Sequence, residues 1–258
     1  MDHQWLDTSQ WFHSAQNEMQ LFERISHFVK KLGFEYCSYV IRAPLPVSKP
    51  TVVVFDTYPK GWMQHYQNND FLAIDSTVRD GANTTELIIW PELPQNDSAR
   101  LWADAYEFGL VVGVAQSSWV AHGVYGLLSI SRPAERLSTA EIQQLTLQMP
   151  WLANLSHMLM SRFLVPQLTP ESGAVLTARE REVLCWTGEG KTSFEIGHIL
   201  SISERTVNFH INNVLLKLGA TNKVQAVVKS MAAGLINPIT QSALNSMTPI
   251  LVCHSTAL

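Results

Sequence analysis

The 258-residue chain lacks the residue patterns that hold metals, disulfides or cofactors. Its three cysteines lie far apart, and its nine histidines fall at no metal-ligand spacing. It has no Gly-x-Ser-x-Gly nucleophile elbow and no glycine-rich phosphate loop. We therefore expect no metal, no cofactor and no catalytic activity. The alternative from another class is an enzyme acting on a small amphiphile, with Asp75 or a histidine as its acid and base.

Charge and long apolar runs are also scarce. The first residues lack the basic and apolar regions of a secretory signal. The longest uncharged span inside the part expected to fold, 142–161, contains Pro150, Asn154 and His157 and is too polar for a membrane helix. A net charge of −4 excludes binding to polyanions by bulk charge alone, whereas 46% hydrophobic residues allow a buried core. We expect a cytoplasmic protein with no membrane contact.

Charge and turn residues divide the chain into parts. Residues 1–172 hold 11 basic and 17 acidic residues, a net charge of −6. Residues 173–236 hold 7 basic and 5 acidic residues, a net charge of +2, and residues 237–258 hold neither kind. Two prolines and a glycine within 164–173 are typical of a linker. We predict a first domain over 1–165, a linker over 166–173, a second domain over 174–236 and an uncharged tail over 237–258 without an assigned role.

The first domain combines strand patterns with flanking helices. Aromatic and β-branched residues predict strands over 34–42 and 51–55 and a hairpin over 111–119 and 124–130. Apolar spacing predicts helices over 15–32, 58–69, 98–108 and 138–163, the last kinked or divided at Pro150. Helices before and after antiparallel strands predict an α+β fold, an α/β/α sandwich around an antiparallel sheet.

The second domain has the pattern of a four-helix helix-turn-helix module. Thr177 with Glu180, and Thr192 with Glu195, form two capping boxes that open helices. A three-residue break follows the second helix, and Ser203 then caps a longer helix. A fourth helix is predicted from about residue 223 to 233. A short helix, a tight turn and a longer helix together indicate DNA binding.

The predicted recognition helix has one apolar and one polar face. Its apolar residues are Val207, Ile211, Val214 and Leu218. The polar residues, which we expect to face DNA, are Glu204, Arg205, Asn208, Asn212 and Lys217, because such side chains read base edges. Free amides after Lys191, with Thr192 and Ser193, favour a phosphate contact. A polar surface helix of some other helical module is the alternative.

The second domain resembles the LuxR-type DNA-binding domain. The resemblance rests on the segments 176–186, 190–192, 195–196, 199–207, 210, 213, 217–218 and 225–227. Response regulators share this output module, but the first domain has neither their alternating strands nor a paired-Asp turn near its start. The segments 58–66, 75–78, 90 and 108–113 instead resemble the autoinducer-binding domain of quorum-sensing regulators.

The resemblance implies a pocket for an N-acyl-homoserine lactone. It implies that Trp62 donates its indole N–H to the lactone carbonyl and that Asp75 accepts from the ligand amide. Tyr66, with Ser129, would donate to the acyl carbonyl, Trp90 would pack on the lactone ring, and Gly113 would allow close backbone approach. Tyr58 and Thr77 complete the implied set. On spacing alone, the aromatics also fit an ordinary core and Asp75 a turn.

Two departures from the family pattern keep a second interpretation open. Ser76 stands where the family usually has proline, and 114–119 lack a proline and the usual aliphatic residues. The alternative is an orphan regulator that responds to a non-lactone signal or to none.

The small charge of the second domain makes dimerisation an expectation. A single module with a net charge of +2 offers few phosphate contacts. We therefore expect a homodimer on a two-fold symmetric site in double-stranded DNA, with RNA polymerase as a further partner. The surfaces that we favour for dimerisation are the apolar stripe of 138–163 and the fourth C-terminal helix, with Val224, Val227, Val228 and Met231.

Overall fold

The computed structural model describes residues 3–91, 98–120, 123–168 and 175–236. The chain divides into two compact units, Met1–Thr169 and Pro170–Leu258. Residues 169–173 of the predicted linker and the whole predicted tail, 237–258, lie outside the described residues.

The described part of the first unit contains a five-stranded antiparallel sheet and six α-helices. The strands, in the sheet order β2-β1-β5-β4-β3, are β1 (Tyr36–Arg42), β2 (Val52–Asp56), β3 (Ile88–Ile89), β4 (Val112–Val120) and β5 (Val124–Arg132). The helices are α1 (His3–His13), α2 (Glu18–Lys31), α3 (Trp62–Asn68), α4 (Ser76–Gly81), α5 (Ala99–Glu107) and α6 (Thr139–Leu168). A 3-10 turn covers Phe71–Ala73.

The two faces of the sheet have different coverings, because side chains alternate along each strand. The odd-numbered residues of β1 join the main core with α1, α2 and α6. Three of its even-numbered residues, Ser38, Val40 and Arg42, line a cavity on the opposite face together with residues of α3, α4 and α5. The predicted α/β/α sandwich around an antiparallel sheet is therefore confirmed.

The long helix α6 is continuous through Pro150, so the predicted division there is wrong. Proline inside a helix costs about 3 kcal/mol. Each fully buried leucine or methionine contributes roughly 1.5–3 kcal/mol, and α6 buries Leu145, Met149, Leu152 and Leu155 on both sides of the proline. Leu164 is also buried, and the helix continues over 166–168, the first residues of the predicted linker.

Three elements of the first unit escaped sequence reasoning. They are α1, α4 and the two-residue strand β3. The elements α4 and β3 are too short to show a hydrophobic period. Helix α4 begins where the Asp75 side chain accepts hydrogen bonds from the amides of Thr77 and Val78, so an N-cap rather than periodicity defines it.

The described part of the second unit contains four helices, as predicted. They are α7 (Ala178–Gly188), α8 (Ser193–Leu200), α9 (Glu204–Lys217) and α10 (Lys223–Ala232). Both predicted capping boxes form, and Ser203 caps α9. The predicted apolar face of α9 is buried, with Val207 and Ile211 against Val183 and Ile196. The helix-turn-helix prediction is therefore confirmed.

Candidate ligand pocket and nucleic-acid interface

The first unit holds a cavity of about 520 Å³ between the sheet and helices α3, α4 and α5. This volume lies within the range that small-molecule sites occupy. Its lining includes seven of the eight predicted ligand residues, namely Tyr58, Trp62, Tyr66, Asp75, Thr77, Trp90 and Ser129. It also includes Arg42, Trp102 and Tyr125, which sequence reasoning missed.

Asp75 supplies a carboxylate group at one end of the cavity. Its Oδ1 accepts from the Thr77 amide at 2.8 Å, and its Oδ2 accepts from the Tyr66 hydroxyl at 2.8 Å. Burial raises the pKa of the Asp75 carboxyl, and these hydrogen bonds oppose that shift. A carboxylate has about four lone-pair sites, so Asp75 retains acceptor capacity toward the cavity.

Tyr66 makes a different contact from the one the resemblance implies. A phenol has a single proton to donate, and that of Tyr66 goes to Asp75. In this arrangement it cannot also go to an acyl carbonyl. The other hydroxyl groups of the predicted set belong to Tyr58, Thr77 and Ser129, and that of Thr77 is too buried to reach a ligand in the cavity. Burial raises the pKa of the Tyr58 hydroxyl, which lies close to the Asp75 carboxylate and Ser38.

Three tryptophans, Trp62, Trp90 and Trp102, form an aromatic wall of the cavity. The rings of Trp90 and Trp102 are 5.1 Å apart. Their indole nitrogens are buried and have no hydrogen-bond partner among the described residues. Such an unsatisfied donor costs about 1–3 kcal/mol, but both nitrogens are too buried for a ligand in the cavity to reach them. The signal that could have identified Trp102 as a pocket residue is its position beside Leu101 on the predicted helix 98–108.

Gly113 does not line the cavity but supports its wall from behind. An added Cβ at Gly113 would lie 2.6 Å from the Trp90 ring and 2.8 Å from the Ile130 carbonyl oxygen. The Gly113 carbonyl also accepts from the Trp90 amide at 2.9 Å. The close approach at this glycine is therefore to Trp90.

We predict that Gly113→Ala displaces Trp90. Overpacking of this kind costs about 1–3 kcal/mol, so the free energy of unfolding should fall by that amount in urea, followed by tryptophan fluorescence. Gly188→Ala is the control, because its added Cβ meets Val227 at an ordinary 3.5 Å. Equal unfolding free energies for Gly113→Ala and the wild type would contradict the prediction.

In the second unit, α9 carries an exposed face opposite its buried one. Arg205, Phe209 and Asn212 follow the spacing i, i+4 and i+7, which places them on one side of a helix. All three are exposed, and the Phe209 side chain is 60% exposed. Phe209 was missed, although the same helical arithmetic places it opposite Val207 and Ile211. Glu204 and Lys191 are also exposed.

Several of the predicted DNA-contacting side chains are engaged inside the unit. Lys217 Nζ lies 2.6 Å from the buried Glu180 carboxylate, so it holds the first capping box to α9. The Ser193 hydroxyl donates to Asn208 Oδ1 at 2.8 Å and accepts from Lys223 at 3.1 Å.

The hydroxyl groups of Thr192 and Ser203 cap α8 and α9. The side chains of Lys191, Glu204, Arg205 and Asn212 are exposed and make no hydrogen bond or ion pair with the described residues.

Comparison with known proteins gives a family match for each of the two units. Residues 17–160 match the family model for the autoinducer binding domain, and residues 174–230 match that for bacterial regulatory proteins of the luxR family. The chain is 66% identical over 225 residues to the transcriptional activator protein SolR of Ralstonia nicotianae, covering 87% of this chain and 95% of that protein. The chain belongs to the LuxR family of quorum-sensing transcriptional regulators.

Other LuxR-family proteins align over almost the whole described chain. The quorum-sensing regulator RhlR of Pseudomonas aeruginosa is 34% identical, covering 88% of this chain and 96% of RhlR. The crystal structure of Escherichia coli SdiA superposes with a TM-score of 0.76 at 33% identity, covering 90% of this chain and 98% of SdiA. SdiA in complex with octanoyl-rac-glycerol gives a TM-score of 0.77 at the same identity, covering 90% of this chain and 95% of that one.

The LuxR-family architecture tolerates the departure at Ser76. Proline is favoured at the first position of a helix, and Ser76 occupies that position in α4. The Asp75 cap still forms, so α4 begins at the family position without proline.

Among the described residues, no helix has both the length and the apolar composition needed to cross a bilayer.

Proposed function

We propose that the first unit binds an N-acyl-homoserine lactone as its signal. The observation that carries the proposal is the pairing of acceptor and donors at one end of an apolar cavity. Asp75 offers a carboxylate oxygen, and Trp62 and Ser129, which line the same cavity, offer an indole N–H and a hydroxyl group. An amide N–H beside carbonyl and ring oxygens matches that set, and an acyl chain matches the apolar remainder.

Each predicted contact then has a chemical reason. Asp75 accepts from the ligand amide, and Trp62 donates to the lactone carbonyl. Trp90 packs on the lactone ring. Because Tyr66 is committed to Asp75, the donor to the acyl carbonyl is Tyr58 or Ser129. Tyr66 acts indirectly, because its hydrogen bond holds the Asp75 carboxylate in place.

The competing function is a regulator that responds to a non-lactone amphiphile or to no ligand. The SdiA structure with octanoyl-rac-glycerol favours this alternative, because that ligand is also an acyl chain on a small oxygen-rich head group. The test is mass spectrometry of small molecules that co-purify with the chain, expressed in cells supplied with acyl-homoserine lactones. Recovery of a lactone supports the proposal, whereas recovery of another amphiphile, or of none, favours the alternative.

We propose further that the second unit reads DNA through the exposed face of α9. Arg205 is suited to guanine and Asn212 to adenine, while Phe209 offers apolar contact to a thymine methyl group. Lys191, before the first turn of α8, is suited to a phosphate. The engaged side chains of Ser193, Asn208 and Lys217 position these elements instead.

Substitution of Arg205 and substitution of Lys191 should affect DNA binding in different ways. We expect Arg205→Ala to cost about 1–3 kcal/mol on the specific site and to relax sequence preference. We expect Lys191→Ala to weaken binding to all sequences alike and to reduce the salt dependence by about one phosphate contact. Titrations of specific and scrambled duplexes at several salt concentrations measure both. Equal losses on both duplexes for Arg205→Ala would remove its base-reading role.

We also propose that the regulator works as a homodimer, through surfaces that differ in part from those predicted. The apolar stripe of 138–163 faces the core of its own unit, so it is unsuited to a partner. The outer side of α6 instead exposes Leu147 and Met158, which lie three turns apart on one face. Helix α10 exposes Val224 and Met231 at the spacing i and i+7.

Two experiments test the dimer on a single preparation. Sedimentation should give a dimer, and footprinting should show a two-fold symmetric site with half-site centres roughly 34–36 Å apart or a multiple of that. Leu147→Asp should weaken the dimer, whereas Glu107→Asp, on another helix, should not. A monomer protecting an asymmetric site would contradict the proposal. RNA polymerase remains the partner that we expect at the promoter.

A further inference from the structure

One charged side chain lies in the part of the cavity where an acyl chain would end. Arg42 is the last residue of β1 and lines the cavity together with Val40 and Val52. No carboxylate lies within ion-pair distance of it among the described residues. Its guanidinium carbon lies 5.1 Å from the centre of the Tyr125 ring.

Tyr125 is held in place on its other side. Arg42 and Tyr125 are directly paired across β1 and β5. The Tyr125 side chain is buried, and its hydroxyl lies so close to α4 that an added Cβ on Gly81 would be 2.6 Å from it. That hydroxyl has no hydrogen-bond partner among the described residues. Tyr125, on which Arg42 stacks, is therefore packed between the sheet and α4.

Two elements place this stack far from the polar end. Ser38 and Arg42 line the same cavity and are four residues apart on β1, which is about 13 Å at the rise of a strand. Helix α4 has Asp75 at its N-cap and Gly81, beside the Tyr125 hydroxyl, as its last residue. Both elements run from the Asp75 end to the Arg42 end.

We propose that Arg42, stacked on Tyr125, is the charged end wall of the pocket and sets the longest acyl chain that it accepts. The proposal rests on the proposed function, since it assigns a length limit to the chain of an acyl-homoserine lactone. The pocket between the two ends is lined by Val40, Val54 and Leu127, which favour methylene groups.

The limit follows from the opposite effects of apolar and charged surroundings. Each methylene buried among apolar side chains strengthens binding about fourfold. A guanidinium remains charged at every physiological pH, and a methyl group pressed against it removes water from the charge without replacing the hydrogen bonds. Affinity should therefore rise with chain length and then fall once the chain reaches Arg42.

The test is a series of saturated straight-chain N-acyl-homoserine lactones, titrated into the full-length chain by tryptophan fluorescence. We expect the wild type to show a maximum at an intermediate length. Arg42→Met removes the charge and shortens the side chain by two atoms, so it should move the maximum to longer chains, with about a fourfold gain for each added methylene. Arg42→Lys keeps the charge and should keep the wild-type maximum.

Arg79→Met is the matched control, because Arg79 is exposed and does not line the cavity; its length profile should equal that of the wild type. A wild-type affinity that rises without a maximum would overturn the proposal even if Arg42→Met failed to fold. The same maximum in Arg42→Met and wild type, or the same shift in Arg42→Lys and Arg42→Met, would also overturn it. Failure of every lactone to bind the folded wild type would refute the proposed function instead.

Discussion

Asp75→Asn should weaken ligand binding by about tenfold to a hundredfold while leaving the unliganded fold almost intact. Asparagine caps helices about as well as aspartate, so its side-chain oxygen can accept the Thr77 amide as Asp75 does now. Its amide NH2 group, which is itself a hydrogen-bond donor, would then face the Tyr66 hydroxyl and the ligand N–H, which are also donors. A hydrogen bond to a charged group contributes about 1.5–3 kcal/mol, so we expect affinity to fall by about tenfold to a hundredfold.

Comparison variants separate the two roles of Asp75. Asp75→Ala removes the cap as well and should lower the free energy of unfolding by a further 0.5–2 kcal/mol or so. Tyr66→Phe removes only the donor to Oδ2 and should weaken ligand binding less than Asp75→Asn does. The measurements are fluorescence titration with ligand and thermal unfolding without it. Normal affinity in Asp75→Asn would show that the ligand amide does not use this carboxylate.

Ligand should raise the thermal midpoint of the first unit by several degrees. A ligand held by Asp75 and packed on the aromatic wall makes contacts with the folded unit that the unfolded chain cannot make. At a ligand concentration a hundredfold above Kd, mass action adds about 2.7 kcal/mol. For a unit of this size that corresponds to a midpoint shift of roughly 5–10 °C.

Thermal unfolding followed by near-ultraviolet circular dichroism, with and without lactone, measures that shift. Asp75→Asn at the same lactone concentration is the control and should show a much smaller shift. An unchanged midpoint in the wild type, at a concentration where fluorescence reports saturation, would refute the stabilisation.

Local sequence patterns were sufficient for most of the fold because they concern residues that are neighbours along the chain. Runs of aromatic and β-branched residues predicted four of the five strands, and capping boxes predicted the starts of α7 and α8. Capping needs only a side chain and an amide three residues apart, as in Thr177 with Glu180. The elements that escaped include those too short to have a period, α4 and β3.

Side-chain partners were decided by the tertiary structure. The sequence by itself determined that Asp75, Tyr66 and Trp90 belong to one pattern and that α9 has a polar face. Only the folded chain brought Tyr66 to Asp75, Lys217 to Glu180 thirty-seven residues away, and Arg42 onto Tyr125. Strand pairing and helix packing set these contacts, and they depend on which distant segments bury apolar surface together, which no short stretch of sequence records.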